Sequence, residues 1–176
     1  MDEVNYFEFF GLPESLDVDE AALKRRFYEQ SKKFHPDFYT LESPEKQAEI
    51  LELSTINNEA WRTLSNFDSR LKYLLELKGQ LGEEGTNVLP QEFLMEMMDI
   101  NEAAMELEFD FDPERYAALL DQLAEQERDL QAELTGSLVS GSAETIQFAA
   151  MKDYHLKKRY LLRIKESLSK FAVPKG

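Results

Sequence analysis

The stretch LKRRFYEQSKKFHPDF, residues 23–38, combines a strongly basic helical pattern with a proline that ends it. Leu23, Phe27 and Phe34 recur on one side of a helix, with the small Ser31 on the same side. Pro36 cannot continue a helix, and the residue before a proline avoids the helical region. Upstream, the pair Asp17 and Glu20 has the spacing of a capping box and predicts where this helix begins. The stretch therefore predicts a helix followed by an exposed turn.

The opposite side of this helix is basic. Lys24, Tyr28 and Lys32 stand four residues apart on one face that leads toward His35. Within a chain of formal net charge −15, a local basic face that ends at an exposed polar turn favours docking of an acidic protein partner. The alternative is a solvated helix face followed by an ordinary proline turn. The residues of the predicted docking site are Lys24, Arg25, Tyr28, Lys32, Lys33, His35, Pro36 and Asp37.

Helical patterns continue on both sides of this stretch. A short helix around Asn5 to Phe10 is closed by Gly11-Leu12-Pro13, and Ser43-Pro44 starts a longer helix. A fourth helix follows a break at Asn66 to Asp68 and ends before Gly79. The inner face of the longer helix is predicted to consist of Ile50, Leu53, Asn57, Ala60 and Leu64. No segment alternates apolar and β-branched residues with polar ones, so we assign no strand.

The second half of the chain predicts three longer helices joined by short loops, which is typical of an antiparallel up-down bundle. The first runs from about Pro90 to Glu108, and the second is capped by Asp112 with Pro113 in its first turn. A Ser/Gly-rich loop to Ser142 precedes the third. The predicted inner face of the first helix consists of Phe93, Met97, Ile100, Ala104 and Leu107. That of the second consists of Tyr116, Leu119, Leu120, Leu123, Leu130 and Leu134. That of the third consists of Ala150, Tyr154, Leu161, Ile164, Leu168 and Phe171. The fold class is therefore all-α.

The amino-acid composition excludes several classes of function. The 176 residues contain no Cys and two His, which excludes disulfides, thiolate chemistry and thiolate-held clusters and disfavours a His-based metal site. We expect no cofactor. The excess of 35 acids over 20 bases makes nucleic acid and anionic membranes poor partners. The first 20 residues lack Lys and Arg, so we expect neither a secretory signal nor a transit peptide, and no apolar run is long enough to span a bilayer.

Charge is unevenly distributed along the second half. Residues 79–142 hold 16 acids and two bases, whereas residues 143–176 hold three acids and eight bases. Opposite net charges attract, so we expect these two segments to pack against each other. The alternative is that both are solvated helix faces.

The order of motifs in the first half resembles the J-domain, the module by which co-chaperones stimulate the ATPase of heat-shock chaperones of the DnaK and HscA class. The resemblance rests on Tyr6–Pro13 (YFEFFGLP), the basic helix, His35-Pro36-Asp37 and Ala60–Leu64 (AWRTL). It implies that the docking site described above binds such a chaperone.

Two further motifs resemble the HscB-type iron–sulfur co-chaperones, namely Arg70–Leu75 (RLKYLL) and Phe93–Glu96 (FLME). This resemblance covers nearly the whole chain. It implies a J-domain in residues 1–78, a linker in 79–88 and a three-helix bundle in 89–176 that binds an IscU-type cluster scaffold protein. It also implies a protein of the bacterial cytoplasm that delivers the scaffold to its chaperone, and we expect the protein to be a monomer.

In that family the scaffold binds a mixed apolar and acidic patch on the first bundle helix. The matching positions here are Leu94, Met95, Met98, Asp99, Glu102 and Glu106, with Tyr160 of the last helix as a looser match. Spacing independently puts positions 94, 98, 102 and 106 in one row, away from the inner face. Met-rich outer rows suit irregular partner surfaces. The alternative is that Leu94 and Met98 belong to the edge of the core.

Other classes of function compete with this interpretation. A general J-domain protein would keep the first half and serve a different client. An enzyme would use His35 and Asp37 as an acid–base pair, but no nucleophile or metal cluster accompanies them. A helical adaptor would not need the His-Pro-Asp turn.

Overall fold

The computed structural model describes residues 3–83, 85–139 and 143–171. Within them the chain forms helices and no strand, which confirms the all-α prediction. Contacts divide the chain into two compact units, Met1–Lys78 (unit 1) and Gly79–Gly176 (unit 2). The elements are α1 Tyr6–Phe9, α2 Glu20–Lys33, a 3-10 turn Pro36–Tyr39, α3 Pro44–Leu64, α4 Phe67–Leu77, α5 Gln91–Phe109, α6 Pro113–Ser137 and α7 Glu144–Phe171. None of the described helices is long and apolar enough to cross a membrane.

Helix α2 begins two residues later than the capping-box pattern predicts. The side chain of Asp19, not Asp17, accepts the N–H of Ala22 at 3.0 Å and caps the helix. The N–H of Asp17 instead bonds to the hydroxyl of Ser15 at 3.2 Å, which holds Asp17 in the preceding turn. The prediction of Asp17 as the cap is therefore wrong, because a local side-chain bond competes with the helix there.

The start of α4 also differs from the prediction, because Asn66 caps the helix and Phe67 and Asp68 of the predicted break are already helical. Three other predicted ends agree with the structure. Ser43 caps α3 and Asp112 caps α6, each followed by proline in the first turn. Gly79 follows the end of α4 with a φ of +63°, a left-handed conformation that glycine adopts at little cost. The Ser/Gly-rich loop before α7 includes residues 140–142, which lie outside the described part of the chain.

Helices α2 and α3 of unit 1 form a hairpin whose contacts include an aromatic stack and two hydrogen bonds from a buried amide. The rings of Phe27 and Trp61 stack with their centroids 4.7 Å apart. The buried Asn57 amide donates to the hydroxyl of Ser31 at 3.0 Å and to the carbonyl of Phe27 at 3.3 Å. Asn57 thus binds the middle of α2, where Ser31 lies within the predicted inner face. The amide nitrogen of Asn57 therefore has polar partners, whereas its buried Oδ1 has none among the described residues.

Helix α4 is bonded to two other segments of unit 1 through the buried Arg70. Its Nε donates to the carbonyl of Leu16 at 2.9 Å, and its Nη1 donates to the carbonyl of Leu64 at 2.7 Å. Burial lowers the pKa of this guanidinium. The second bond satisfies a carbonyl in the last turn of α3, a group that has no partner within its own helix. Arg70 therefore ties the segment before α2 to the end of α3.

Helix α1 is held against α4 by Tyr73. The rings of Tyr6 and Tyr73 stack at 4.8 Å, and the Tyr73 hydroxyl accepts the N–H of Tyr6 at 2.9 Å. Phe7 and Phe10, on the same short helix, are buried. A helix of four residues is not stable by itself, so these contacts are what hold it in place.

Unit 2 buries one apolar row from each of its three helices. Most of the predicted inner positions are buried, but Ala104, Tyr116, Leu120 and Ala150 are only half-buried, and Met151 is buried where Ala150 had been expected. The side chain of Phe171 lies outside the described part. In unit 1, Leu53 and Phe27 are likewise half-buried. The buried residues of unit 2 are Phe93, Met97, Ile100, Leu107, Leu119, Leu123, Leu130, Leu134, Met151, Tyr154, Leu161, Ile164 and Leu168.

Ion pairs show the direction of the bundle helices. Lys165 lies 2.7 Å from Glu127, and Lys157 lies 4.0 Å from Glu133. Rising numbers on α6 pair with falling numbers on α7, so these two helices are antiparallel. The acids belong to the acidic segment and the lysines to the basic one. The prediction that these oppositely charged segments pack together is confirmed.

Candidate functional site

The His35-Pro36-Asp37 turn is fixed by hydrogen bonds to its own backbone. His35 caps the 3-10 turn, and its Nδ1 accepts the N–H of Asp37 at 3.3 Å. The N–H of Phe38 donates to the carbonyl of His35 at 3.1 Å. The side chains of His35 and Asp37 remain 52% and 84% exposed. The turn is thus a defined conformation that presents polar groups to solvent.

Two side chains fasten this turn to the hairpin. The hydroxyl of Tyr39 donates to the carbonyl of Lys33 at 2.7 Å, at the end of α2. The Gln47 amide, on α3, donates to the carbonyl of Glu42 at 2.9 Å. Because both ends of the connection are bonded to helices, its conformation is settled before any partner arrives.

The predicted basic face follows α2 up to this turn. Lys24, Tyr28 and Lys32 lie along one side of the helix, and Tyr28 is 54% exposed. Arg25 and Lys33 flank them and are exposed as well. The structure therefore exposes all eight predicted docking residues on α2 and the turn that follows it, with Lys24, Tyr28 and Lys32 in one row.

The second predicted surface lies on the outer side of α5 in unit 2. Met95 and Met98 are 61% and 65% exposed, and Leu94 is 39% exposed. The acidic Asp99, Glu102 and Glu106 are exposed on the same side. The exposure of Met98 argues against the alternative that it belongs to the edge of the core, whereas Leu94, at 39% exposed, lies at the margin of the core side. We call these six residues the α5 patch.

Two neighbours border the α5 patch. Arg115 of α6 lies 3.9 Å from Glu106, so this carboxylate already has an exposed cation beside it. Tyr160 of α7 is half-buried, and its hydroxyl accepts from the Asn101 amide at 2.7 Å. The Tyr160 ring also meets Phe93 edge-on at 5.6 Å. Tyr160 is therefore built into the α5–α7 contact and is not part of the exposed row.

Sequence reasoning missed two exposed apolar residues of α5. Met105 is 61% exposed and Phe109 is 87% exposed. They follow Met98 at seven and eleven residues, so helical spacing alone would have put them on its side. Met105 also borders a groove of about 340 Å³ between α5 and α7, together with Tyr160 and Arg163.

Neither surface contains a metal-binding constellation. Across the described ranges, no group of three or more His, Asp or Glu side chains is arranged to hold a metal ion. What the two surfaces offer is polar contact at a fixed turn and a mixed apolar and acidic helix face. Both are features of protein recognition.

Comparison with known proteins identifies relatives along the whole chain. Residues 89–169 match the family described as the HSCB C-terminal oligomerisation domain. A co-chaperone protein HscB homolog of Shewanella pealeana is 33% identical over 170 residues, which cover 95% of this chain and 96% of that protein. The co-chaperone protein HscB of Proteus mirabilis is 28% identical over 166 residues, with 94% of each chain covered.

Solved structures agree in fold. The chaperone HscB from Vibrio cholerae superposes with a TM-score of 0.76 at 28% identity, covering 94% of this chain and 96% of its own. Human co-chaperone protein HscB superposes with a TM-score of 0.79 at 25% identity, covering 99% of this chain and 85% of its own. The fold is thus a J-domain followed by a helical bundle. With near-complete coverage at 33% identity, the chain belongs to the HscB family of co-chaperones.

Proposed function

We propose that this protein binds an IscU-type iron–sulfur scaffold protein, delivers it to a DnaK/HscA-class chaperone and stimulates that chaperone's ATPase. Residues 1–78 act as the J-domain, 79–88 as linker and 89–176 as the scaffold-binding domain. The observation that carries the proposal is the exposed His35-Pro36-Asp37 turn, held in one conformation at the end of a basic helix face. Membership of the HscB family supports the choice of both partners.

The turn acts as a preorganised contact. Its backbone bonds and the Tyr39 bond to α2 exist before binding, so little conformational entropy is lost when the chaperone docks. Lys24 and Lys32 on the adjoining face steer an acidic partner surface toward it. The N–H of Asp37 donates to Nδ1 of His35 and so orients the ring, and we assign His35 a binding role.

The α5 patch acts as the client surface. Its methionine side chains are flexible and polarizable and therefore adapt to an irregular partner surface. The residues Gln91–Phe109 include six acids and no Lys or Arg, so the matching surface of the scaffold should be apolar with basic residues at its rim. Interface energy usually concentrates in a few central apolar side chains, for which Leu94, Met95 and Met98 are the candidates.

A general J-domain co-chaperone with a different client is the second candidate. It would use the same turn in unit 1 but would not bind the scaffold. The two proposals differ only in what the α5 patch binds, so client binding decides between them. We expect the protein to act as a monomer; the description of the matched family as an oligomerisation domain makes a second copy the competing occupant of unit 2.

The test is the steady-state ATPase rate of the purified chaperone. It is measured with this protein alone, with an IscU-type scaffold alone and with both together. We expect stimulation by this protein that rises further when the scaffold is present. Stimulation without any scaffold effect would favour a different client, and no stimulation at all would overturn the proposal.

A further inference from the structure

The exposed apolar surface of α5 continues well beyond the α5 patch. Met105 and Phe109 are 61% and 87% exposed, and Phe109 is the last residue of the helix. A single exposed apolar residue is ordinary on a protein surface, whereas several in one row indicate an interaction site. The question is whether these two residues extend the same row.

Helical geometry puts them in it. At 100° per residue, Leu94, Met98, Met105 and Phe109 fall within about 60° of one another on the helix circumference. At 1.5 Å per residue, the row from Leu94 to Phe109 is about 22 Å long. We call these four residues the extended row.

Acidic side chains and a groove flank the extended row. Glu102 and Glu106 are exposed along one side of it. On the other side, Met105 borders the groove of about 340 Å³ between α5 and α7, whose wall includes Tyr160. The row thus resembles the centre of a binding surface, with a charged rim on one side and a recess on the other.

We propose that Met105 and Phe109 form a second apolar anchor for the same scaffold protein, about three turns along α5 from the first anchor at Leu94 and Met95. This inference rests on the proposed function, since it assigns a further contact to that client. The occupant follows from charge. The exposed Glu102 and Glu106 lie on one side of the row and Arg163 borders the groove on the other, so the partner segment is apolar with basic residues facing the acids, the same chemistry that the α5 patch requires.

The test is a calorimetric titration of three variants with a purified IscU-type scaffold protein. The double change Met105→Ala and Phe109→Ala should weaken binding about tenfold or more, because hot-spot truncations cost this much. The triple change Leu94→Ala, Met95→Ala and Met98→Ala tests the client surface itself and should abolish binding. The matched control, Val139→Ala with Ile146→Ala, removes apolar side chains that are also more than half exposed in unit 2 and should leave the affinity unchanged.

A second measurement is independent of affinity. Replacing Phe109 by the photoreactive amino acid p-benzoylphenylalanine should give a crosslink to the scaffold, whereas the same replacement of Ile146 should not. Circular dichroism of each variant checks that the helices persist, which we expect because alanine is the best helix former.

The outcomes separate this inference from the proposed function. If the double variant binds as wild type while the triple variant has lost binding, Met105 and Phe109 are not an anchor and the proposed function stands. If wild-type protein does not bind the scaffold, both are overturned. If the double variant changes the sedimentation mass of the protein alone and leaves scaffold affinity intact, the row binds a second copy and the inference is wrong.

Discussion

The two units present their proposed functional residues in different ways. In unit 1 they sit in a short turn whose conformation depends on specific hydrogen bonds, such as those from Tyr39 to Lys33 and from Asp37 to His35. In unit 2 they are spread over four turns of one helix, whose conformation depends on an apolar core on its other side. The turn should therefore be sensitive to single substitutions, and the helix face should require several.

The two units are also stabilised by different kinds of interaction. Unit 1 is tied together by polar side chains that reach distant backbone groups, including Arg70 to Leu16 and Asn57 to Phe27. Unit 2 depends on interlocking apolar rows, with ion pairs such as Lys165 to Glu127 along their margin. A fixed polar turn requires a rigid frame, whereas a row on a long helix requires only that the helix be packed.

The largest effect should come from His35→Gln. We expect stimulation of the chaperone ATPase to fall to the basal rate, because the substitution changes the contact surface of the turn. The His35 side chain is half exposed, so the fold should survive, as circular dichroism would show.

The matched single change in unit 2 is Met95→Ala, which should weaken scaffold binding by only a few fold, since its neighbours in the patch remain. A His35→Gln variant that stimulates normally would remove the turn from the mechanism. Loss of all scaffold binding in Met95→Ala would show that the client surface is as concentrated as the turn, and the contrast between the units would fail.

Much of the architecture followed from the sequence because its signals are local. Proline positions, helix caps and apolar periodicity act within about four residues, and they correctly predicted seven helices and the outward direction of the α5 patch. The prediction of the residue that caps α2 failed although capping is also a local interaction. Asp17 and Asp19 both carry the side chain that a cap needs, and the bond to Ser15 distinguishes them.

The contacts that the sequence could not supply are long-range. Arg70 looks like any charged residue of an amphipathic helix, yet it is buried because two carbonyls from distant segments meet there. The hydrogen bond from Asn57 to Ser31 was not predictable from the sequence either. By its spacing Ser31 is only a small residue on the inner side of α2, and it becomes a partner when α3 packs beside it. Met105 and Phe109 continue the helical spacing of Leu94 and Met98, but the positions that match the family end at residue 106 and so do not include them.

The second largest effect should come from Arg70→Met, which tests whether unit 1 depends on polar ties. The substitution leaves the carbonyls of Leu16 and Leu64 without their donor, and we expect a loss of about 3 kcal/mol in the free energy of unfolding of unit 1. Trp61 is the only tryptophan of the chain, so its fluorescence during denaturant unfolding reports unit 1 alone. Arg26→Met, at an exposed position of α2, is the control and should change stability by less than about 0.5 kcal/mol. Equal stability of the two variants would mean that unit 1, like unit 2, is held by its apolar core.

A smaller effect should come from the paired change Lys24→Glu and Lys32→Glu. Charges at the rim of an interface mainly set the association rate, so we expect association with the chaperone to slow about tenfold at low salt. The difference should shrink above about 0.1 M salt, where the screening length falls to about 10 Å. Surface plasmon resonance over a salt series measures both.

The control carries the same charge on other faces of unit 1. Lys46→Glu with Lys72→Glu also takes the net charge from −15 to −19 but lies on α3 and α4. If both pairs slow association equally, net charge and not the α2 face is responsible.

The smallest effect should come from Glu14→Gln, which tests a polar tie at the edge of unit 1. Glu14 accepts hydrogen bonds from Lys78 and, at 2.7 Å, from the Asn5 amide, and these bonds lower the pKa of its carboxyl group. A carboxyl whose pKa is lower in the folded state stabilises the fold above its unfolded pKa, and this contribution disappears as pH falls through the folded value.

The paired Glu14 and Lys78 side chains are about one-third exposed, at 31% and 34%, so the loss at pH 7 should stay below about 1 kcal/mol. Unfolding followed by Trp61 fluorescence should show the variant slightly less stable than wild type at pH 7, and the difference should shrink as pH falls through the lowered pKa of Glu14. Glu49→Gln, at an exposed pair with Lys46 within α3, should show a smaller difference at pH 7, because that pair does not join distant segments. If Glu14→Gln and Glu49→Gln lower the stability at pH 7 equally, the Glu14–Lys78 bond between the segment after α1 and the end of α4 does not add to the stability of unit 1. The stability of unit 1 would then depend on its buried contacts alone.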